Sequence, residues 1–356
     1  MSEMAAIDEL YEAMVREAAT SAGAAGREDD LRFVFITDLH HKLGGNTLRS
    51  AEAIHELAKR LPLDFVLCGG DVGYNGPKPE VVASQREIIE ALRVPGLPLL
   101  TAKGNHDDNS IYVASDNGGP EHFILPEETR ELLMSGVPES AMRDREPSAG
   151  LYYAVDFPGK KTRVIVLDCN DIPYTQLTDG SYKYNGINIY AFSSRQLNWF
   201  AGQALDLRGK PEWRVLIASH VEIIEEGVFG TDHPVTNGEA LWGIVKAFRD
   251  GGRFSSEGGA SGDFAYRVEA DFTAQRPGTV IGCLFGHVHH DNVVYNDGIP
   301  MVSTLNAWTL KEFDVSPERR DGTVSEAAFD IMTADFSRSR LHVFRFGAGQ
   351  HRTVNF

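Results

Sequence analysis

The sequence predicts an α/β protein built on a mostly parallel, buried core sheet. Three observations carry this. Apolar runs of strand length alternate with stretches whose apolar residues fall at helical spacing. The runs are rich in Val, Ile, Leu and Phe, as in strands covered on both faces. Five of them end in polar clusters, and open α/β sheets bind ligands just outside the carboxyl ends of their strands.

The elements follow in order. Ile7, Leu10, Tyr11, Met14, Val15 and Ala18 form one face of an amphipathic helix, followed by the flexible Gly23-Ala24-Ala25-Gly26. Residues 1–30 are read as a helical extension and 31–356 as a single domain. Leu31–Ile36 is a buried strand ending in Thr37-Asp38-Leu39-His40. A helix is expected from Thr47 to about Arg60, with Asn46 as its cap and Leu48, Ala51, Ile54 and Leu57 inward. Asp64–Cys68 is the second strand and ends in Gly69-Gly70-Asp71; Pro79 then opens a helix to about Arg93. Leu97–Leu100 is a third, short strand, followed by Lys103-Gly104-Asn105-His106-Asp107.

Residues 108–150 have many turn formers and one short helical pattern near Glu127–Met134, so they are read as an insertion beside the site. Arg163–Leu167 is a strand ending in Asp168, for which a turn or supporting role is expected. Ser193-x-x-Gln196 is a capping box before a helix with Leu197, Phe200 and Ala204 on one face. Trp213–Ala218 is a strand ending in Ser219-His220. A second insertion is expected over 221–278. In it Asn237 caps a helix carrying Leu241, Ile244, Val245 and Phe248, stopped by Gly251-Gly252. Residues 251–262 are rich in Gly and Ser and are read as a mobile lid or a flexible connection. Thr279–Phe285 is the last long central strand, ending in Gly286-His287-Val288-His289. Short β-like runs at 292–295, 300–305 and 340–346 suit antiparallel pairing.

Composition narrows the class. A chain of 356 residues with 42% apolar content can bury a sizeable core. No run approaches the roughly 18 apolar residues of a membrane span, and the N-terminal stretch lacks the basic and apolar regions of a secretory signal. Cys68, Cys169 and Cys283 lie in or at the end of strand-like runs without a CxxC spacing. They are read as buried, reduced thiols of a cytoplasmic protein. The net charge of −17 argues against binding nucleic acid or anionic membranes. It would also repel a phosphorylated substrate, unless bound cations reversed the sign locally.

The five clusters are Asp38-x-His40, Gly70-Asp71, Gly104-Asn105-His106-Asp107, His220 and Gly286-His287-x-His289. They offer oxygen and nitrogen donors and no sulfur. From an extended backbone, the two side chains of each x-spaced pair face one way, and the adjacent His41 and His290 face away. The set is too large for one tetrahedral metal and suits two ions sharing a carboxylate. Two ions about 3.5–4 Å apart can hold a hydroxide and clamp a phosphoryl oxygen. His55, His122, His233, His342 and His351 receive no role.

In this order the clusters resemble the motifs of the calcineurin-like metallophosphoesterase family, over about Phe33 to Asn306. The resemblance implies a four-layer αββα sandwich of two mixed β-sheets flanked by helices. Periodicity alone equally permits one doubly wound sheet. It implies Asp38, His40 and His289 on one metal, Asp71 bridging, and Asn105, His220 and His287 on the other. His106 would face the phosphate, oriented by Asp107, and would act as the leaving-group acid. The implied cofactors are two divalent or trivalent ions, manganese, iron or zinc, with manganese favoured. The implied reaction is hydrolysis of a phosphoric ester, with monoester and diester both open. A non-catalytic scaffold of the same fold is the alternative; it would be expected to have lost a ligand or His106, and all are present.

Overall fold

The structure is a computed structural model and describes residues 8–115, 118–144, 150–259 and 262–356. The first helix, α1 (Glu9–Gly23), starts after Asp8, whose carboxylate accepts the Tyr11 amide at 3.0 Å. Its inner face is Tyr11, Val15, Ala18 and Ala22; Ile7 lies outside the described residues. Next come β1 (Leu31–Ile36), α2 (Thr47–Ala58), β2 (Phe65–Cys68), α3 (Lys78–Leu92) and β3 (Leu99–Thr101). The segment after β3 holds α4 (Ser110–Ala114), α5 (Pro126–Leu133) and β4 (Met142–Arg143). Then follow β5 (Tyr153–Phe157), β6 (Thr162–Val166), α6 (Ser194–Trp199), β7 (Arg214–Ala218) and α7 (Gly238–Asp250). The remainder is β8 (Arg253–Gly258), β9 (Tyr266–Asp271), β10 (Thr279–Phe285), β11 (Val293–Asn296), β12 (Ile299–Ser303), β13 (Ala328–Asp335), β14 (Arg340–Gly347) and β15 (Arg352–Asn355).

Two mixed sheets pack face to face between layers of helices, a four-layer αββα sandwich. Among the described residues one sheet runs β15-β14-β13-β1-β2-β3 and the other β11-β12-β10-β7-β6-β5-β4. The strand period of two explains the layers. In β1, Leu31, Phe33 and Phe35 enter the core between the sheets, while Val34 and Ile36 meet α1, α2 and α3. In β7, Leu216 and Ala218 face that core, while Val215 and Ile217 meet α6 and α7. Phe33 pairs with Phe65 across parallel strands and stacks on it at 4.7 Å. Burying one such ring contributes about 1.5–3 kcal/mol. β1, β2 and β3 are mutually parallel, as are β6, β7, β10 and β12. Their C-terminal ends therefore gather on one edge of the sandwich.

Several local expectations are corrected. Asn46 does not cap α2; its amide donates to Thr309 Oγ1 at 3.0 Å and Asp321 Oδ1 at 2.8 Å, tying the loop to a distant segment. Asn237 adopts φ 66° and spends its amide on the carbonyls of Phe192 and Phe264, so it does not cap α7. Ser193 caps α6 by accepting the Gln196 amide, but the Gln196 side chain turns to the Asp168 backbone rather than closing the box. Of the stretch 251–262, Arg253–Gly258 is strand β8, paired antiparallel with β9 as a hairpin with Phe254 packed on the core beside α7, and residues 260 and 261 lie outside the described residues. Ser and Gly on its exposed face disguised the strand.

Strands β5, β13 and β15 were not expected. All eight residues of β13 are buried although Asp330 and Thr333 interrupt its apolar pattern. The interruption is paired. Asp330 accepts from Arg345 Nε at 2.8 Å, from Thr304 Oγ1 at 2.6 Å and from Arg352. Arg345 also donates to Asp291 at 2.6 Å, which fixes the chain just past His289. Burial raises the Asp330 pKa, but Arg345 and Arg352 outweigh it and hold the carboxyl below its ordinary value.

A depressed folded pKa contributes stability above the unfolded value of about 3.9 and loses it as the pH falls through the folded value. Arg345→Met leaves the buried Asp330 with Arg352 and Thr304 as its remaining partners, with an expected cost of about 1–3 kcal/mol at pH 7. Urea unfolding at pH 7 and in acid checks this. The variant's deficit should shrink in acid as Asp330 protonates; a loss within ~0.5 kcal/mol at pH 7, ordinary for a surface change, would show the pair to be incidental.

Candidate metal centre

The nine residues singled out in the sequence converge on that edge, each just past the C-terminal end of β1, β2, β3, β7 or β10. The geometry that aims them is not extended backbone, as the spacing led one to expect. Asp38, His40, Asp71, His287 and His289 have φ of 53°, 39°, 50°, 64° and 47°. Non-glycine residues in this region each cost of order 1–3 kcal/mol and persist only when their surroundings hold them. Here the loops hold each other. The Asp38 amide donates to the Gly70 carbonyl, and the His40 and His41 amides to Asp71 and Val72, all at 3.0 Å. The His287 amide donates to the Asp38 carboxylate at 3.1 Å and so joins the second sheet to the first.

Two glycines let the loops approach. A Cβ on Gly104 would lie 2.1 Å from Asp71 Oδ1, and one on Gly70, which has φ 103°, would lie 2.8 Å from His220 Nδ1. Side chains at either position would push a carboxylate or imidazole out of place.

Asp38 and Asp71 are 0% and 1% exposed. His289 Nε2 lies 3.3 Å from Asp38 Oδ1. Around Asp71 Oδ2 are His220 Nε2 at 3.2 Å and the Nε2 atoms of His40 and His106 at 3.8 Å. Asn105 Oδ1 is 3.0 Å from His220 Nε2 and 3.2 Å from His287 Nδ1. Burial works against charge on Asp38, yet His289 and His220 overcome it and hold its pKa at about 2. Burial likewise works against a charged His220, and Asp71 and Asp38 overcome it to raise the pKa to about 10. For His40 burial wins and lowers the value to about 4.

The donor set fits metal ions. Candidate ligand atoms lie within 4.8 Å of one another in three groups: Asp38, His40 and His289; His40, Asp71 and His106; Asp38, Asp71 and His220. The groups overlap through both carboxylates, as two neighbouring cations require. His40 and His289 bring their Nε2 atoms to 3.3 Å, so that both nitrogens converge on one point of the site.

The outward nitrogens are held as well, by partners that the sequence did not disclose. His220 Nδ1 donates to the Gly69 carbonyl at 2.8 Å, His287 Nε2 faces Asp232 at 3.2 Å, and His289 Nδ1 faces Glu312 at 3.5 Å. Such contacts fix the tautomer that turns a lone pair inward. Asp232 and Glu312 sit in irregular loops, with no pattern that marks them.

A family model described as calcineurin-like phosphoesterase matches residues 31–291. The chain belongs to that family. No curated protein matches it in sequence. Among solved structures it is similar to GAP50, the anchor in the inner membrane complex of Plasmodium, at 11% identity over 92% of this chain and 89% of that one, with TM-score 0.48. It is similar to a putative 5'-nucleotidase from Staphylococcus aureus at 13% identity over 92% of this chain and 54% of that one, about half its length, with TM-score 0.43. A metallophosphoesterase from Sphaerobacter thermophilus is similar at 14% identity over 90% of this chain and 89% of that one, with TM-score 0.31.

In this chain Asp107 does not orient His106. Its carboxylate accepts the amides of Gly104 at 2.7 Å, Val72 at 2.8 Å and Asp71 at 3.1 Å, and so braces two loops from beneath. Burial, then the Asp71 charge, push its pKa up to about 7. Neighbouring side chains point opposite ways, so a carboxylate next in sequence to His106 was the wrong partner to choose. Asn75 holds the imidazole instead: its Oδ1 accepts from His106 Nδ1, while its Nδ2 donates to the His106 carbonyl and Asn109 Oδ1. His41 is turned away to Thr47 and Glu87, as expected, and Asp168 serves a turn by accepting the Leu151 and Asn170 amides.

Asn75→Ala and Asp107→Asn should therefore differ. Asn75→Ala frees His106 and should slow alkyl esters more than aryl esters, with metal content intact. Asp107→Asn removes an acceptor beneath both loops and should lower metal content and unfolding temperature without changing the aryl-to-alkyl ratio. Metal analysis beside the two rates decides; the reverse pattern would restore Asp107 as the orienting group.

Proposed function

We propose that this chain hydrolyses phosphoric esters at a two-ion centre. Asp38, His40 and His289 hold one ion, Asn105, His220 and His287 the other, and Asp71 bridges them. The observation that carries the reading is Asp71: one buried carboxylate oxygen approached by imidazoles from three different loops. Oxygen and nitrogen donors suit manganese, iron or zinc, and manganese is the favoured member. The ions, when bound, supply a nucleophilic water near neutral pH and neutralise the phosphoryl oxygens.

The protein's own residues do the rest. His106 is the most exposed of the imidazoles around Asp71, with 22% of its side chain open, against 8% for His40 and 0% for His220. Its Nδ1–H is tied to Asn75, so Nε2 is the atom turned to the site. There, with both ring nitrogens protonated, the imidazolium assists the leaving oxygen by giving it the Nε2 proton and is left as the neutral Nδ1–H ring. The substrate is a phosphorylated compound, monoester or diester. The net charge of −17 weighs against nucleic acid. No helix among the described residues is long and apolar enough to cross a membrane. Cys68, Cys169 and Cys283 are free and buried, and burial pushes each thiol up to about 12. Inert thiols of this kind suit the cytoplasmic location that belongs to this proposal.

Two variants test it. Asp71→Asn should lose metal at both positions and nearly all phosphate release; two full equivalents of metal with normal turnover would refute the bridge. His106→Ala should keep both ions and slow an alkyl ester by roughly 10²–10⁴-fold. An aryl ester, whose leaving group departs as a stable anion, should suffer far less. Equal losses on both esters would leave His106 without its acid role.

A further inference from the structure

We infer that Trp308 is a specificity-determining residue, a shelf on which a flat, unsaturated organic group of the phosphoester stacks. Resting on the phosphoesterase reading above, this makes aromatic esters the preferred substrate class. The Trp308 ring lies beside His40, with centroids 5.4 Å apart and planes at 61°, so the contact is edgewise and does not cover both indole faces. His40 in turn meets His106 at 4.8 Å. A phosphoryl group held between His40 and His106 would thus carry its organic substituent within a ring's reach of the indole.

A single exposed apolar residue is ordinary on a protein surface. Trp308 differs because its backbone cannot withdraw it. The Trp308 amide donates to the Asp38 carbonyl at 3.0 Å, and the Ala307 amide to Thr37 at 2.8 Å. Asn306 Nδ2 clamps the Trp308 carbonyl at 2.8 Å and that of Leu310 at 3.1 Å, while Arg319 holds the Asn306 carbonyl at 2.8 Å. The backbone that carries the indole is tied to the strand end that carries Asp38, the ring meets His40, and 37% of the residue stays open to solvent. A rigid, half-open aromatic at the rim of a polar site offers area for recognition at little cost in conformational entropy.

The test compares pairs that differ in flatness alone. Benzyl and cyclohexylmethyl phosphates share a primary alkoxide leaving group, and the matching phosphonates cannot be hydrolysed. Calorimetry on the manganese-loaded chain should show benzylphosphonate binding about three- to tenfold more tightly. KM should favour benzyl phosphate to the same degree. Trp308→Leu, which keeps apolar bulk, should abolish the preference with metal content unchanged, and Trp308→Phe should keep most of it. Equal binding of the two phosphonates by the wild type overturns the inference, even if the leucine variant does not fold, and so does a preference that survives in Trp308→Leu. A benzyl preference without phosphate release overturns the hydrolytic reading and leaves the shelf standing. Phosphate release without a preference does the reverse.

Discussion

Two carboxylates, Asp38 and Asp71, lie buried within one site, and the architecture around them answers that cost. A buried charge left alone costs several kcal/mol even after relaxation. Here each carboxylate accepts backbone or hydroxyl hydrogen bonds: His287 N and Thr37 Oγ1 at Asp38, His106 N at Asp71. Imidazoles close the remaining directions. Asp71 and Asp38 overcome burial to raise the His220 pKa, while burial wins at His40 and lowers it. A pair of cations would satisfy the same oxygens and return the histidines to the neutral state in which they ligate.

Holding those groups together uses both sheets. The first sheet supplies Asp38, His40, Asp71, Asn105 and His106, and the second supplies His220, His287 and His289. Among the hydrogen bonds that cross between them are those from His287 N to Asp38 and from His220 Nδ1 to Gly69. Left-handed backbone at five candidate ligands is affordable because these contacts over-determine it. Asp107 is central to this: one carboxylate accepts amides from the β2 loop and the β3 loop together, so Asp71 and the segment that carries Asn105 are held by a common brace. The His106 imidazole is held by Asn75 instead. Bracing the loops and holding the imidazole are thus separate tasks for separate side chains.

Much of the layout was legible in the sequence because it depends on short-range pattern. β1, β2, β7 and β10 are continuous apolar runs, and continuous burial on both faces leaves that mark directly. β13 was hidden because Asp330 and Thr333 break its pattern, and only the arrival of Arg345 and Arg352 from neighbouring strands makes a buried aspartate tolerable. β8 was hidden for the opposite reason: its exposed face is Ser, Glu and Gly, and only Phe254 and Ser256 turn inward toward partners. The caps expected at Asn46 and Asn237 failed because each side chain found a distant acceptor, and no local rule anticipates that competition.

The sequence by itself singled out the residues that gather at the strand ends. Asp, Asn and His at successive strand ends, in that order, are a chemical inventory that does not depend on knowing the fold. It also determined the alternation of strands and helices, since that follows from periodicity. Only the tertiary structure decided how the inventory is used. Which nitrogen of His220, His287, His289 and His106 faces inward depends on Gly69, Asp232, Glu312 and Asn75, which lie 23 to 151 residues away. That Asp107 braces rather than orients, and that Trp308 stays at the rim, are likewise set by partners far along the chain. Hydrogen bonding is short in range and directional, so it is settled by where the backbone brings two groups together, and no spacing along the chain encodes that position.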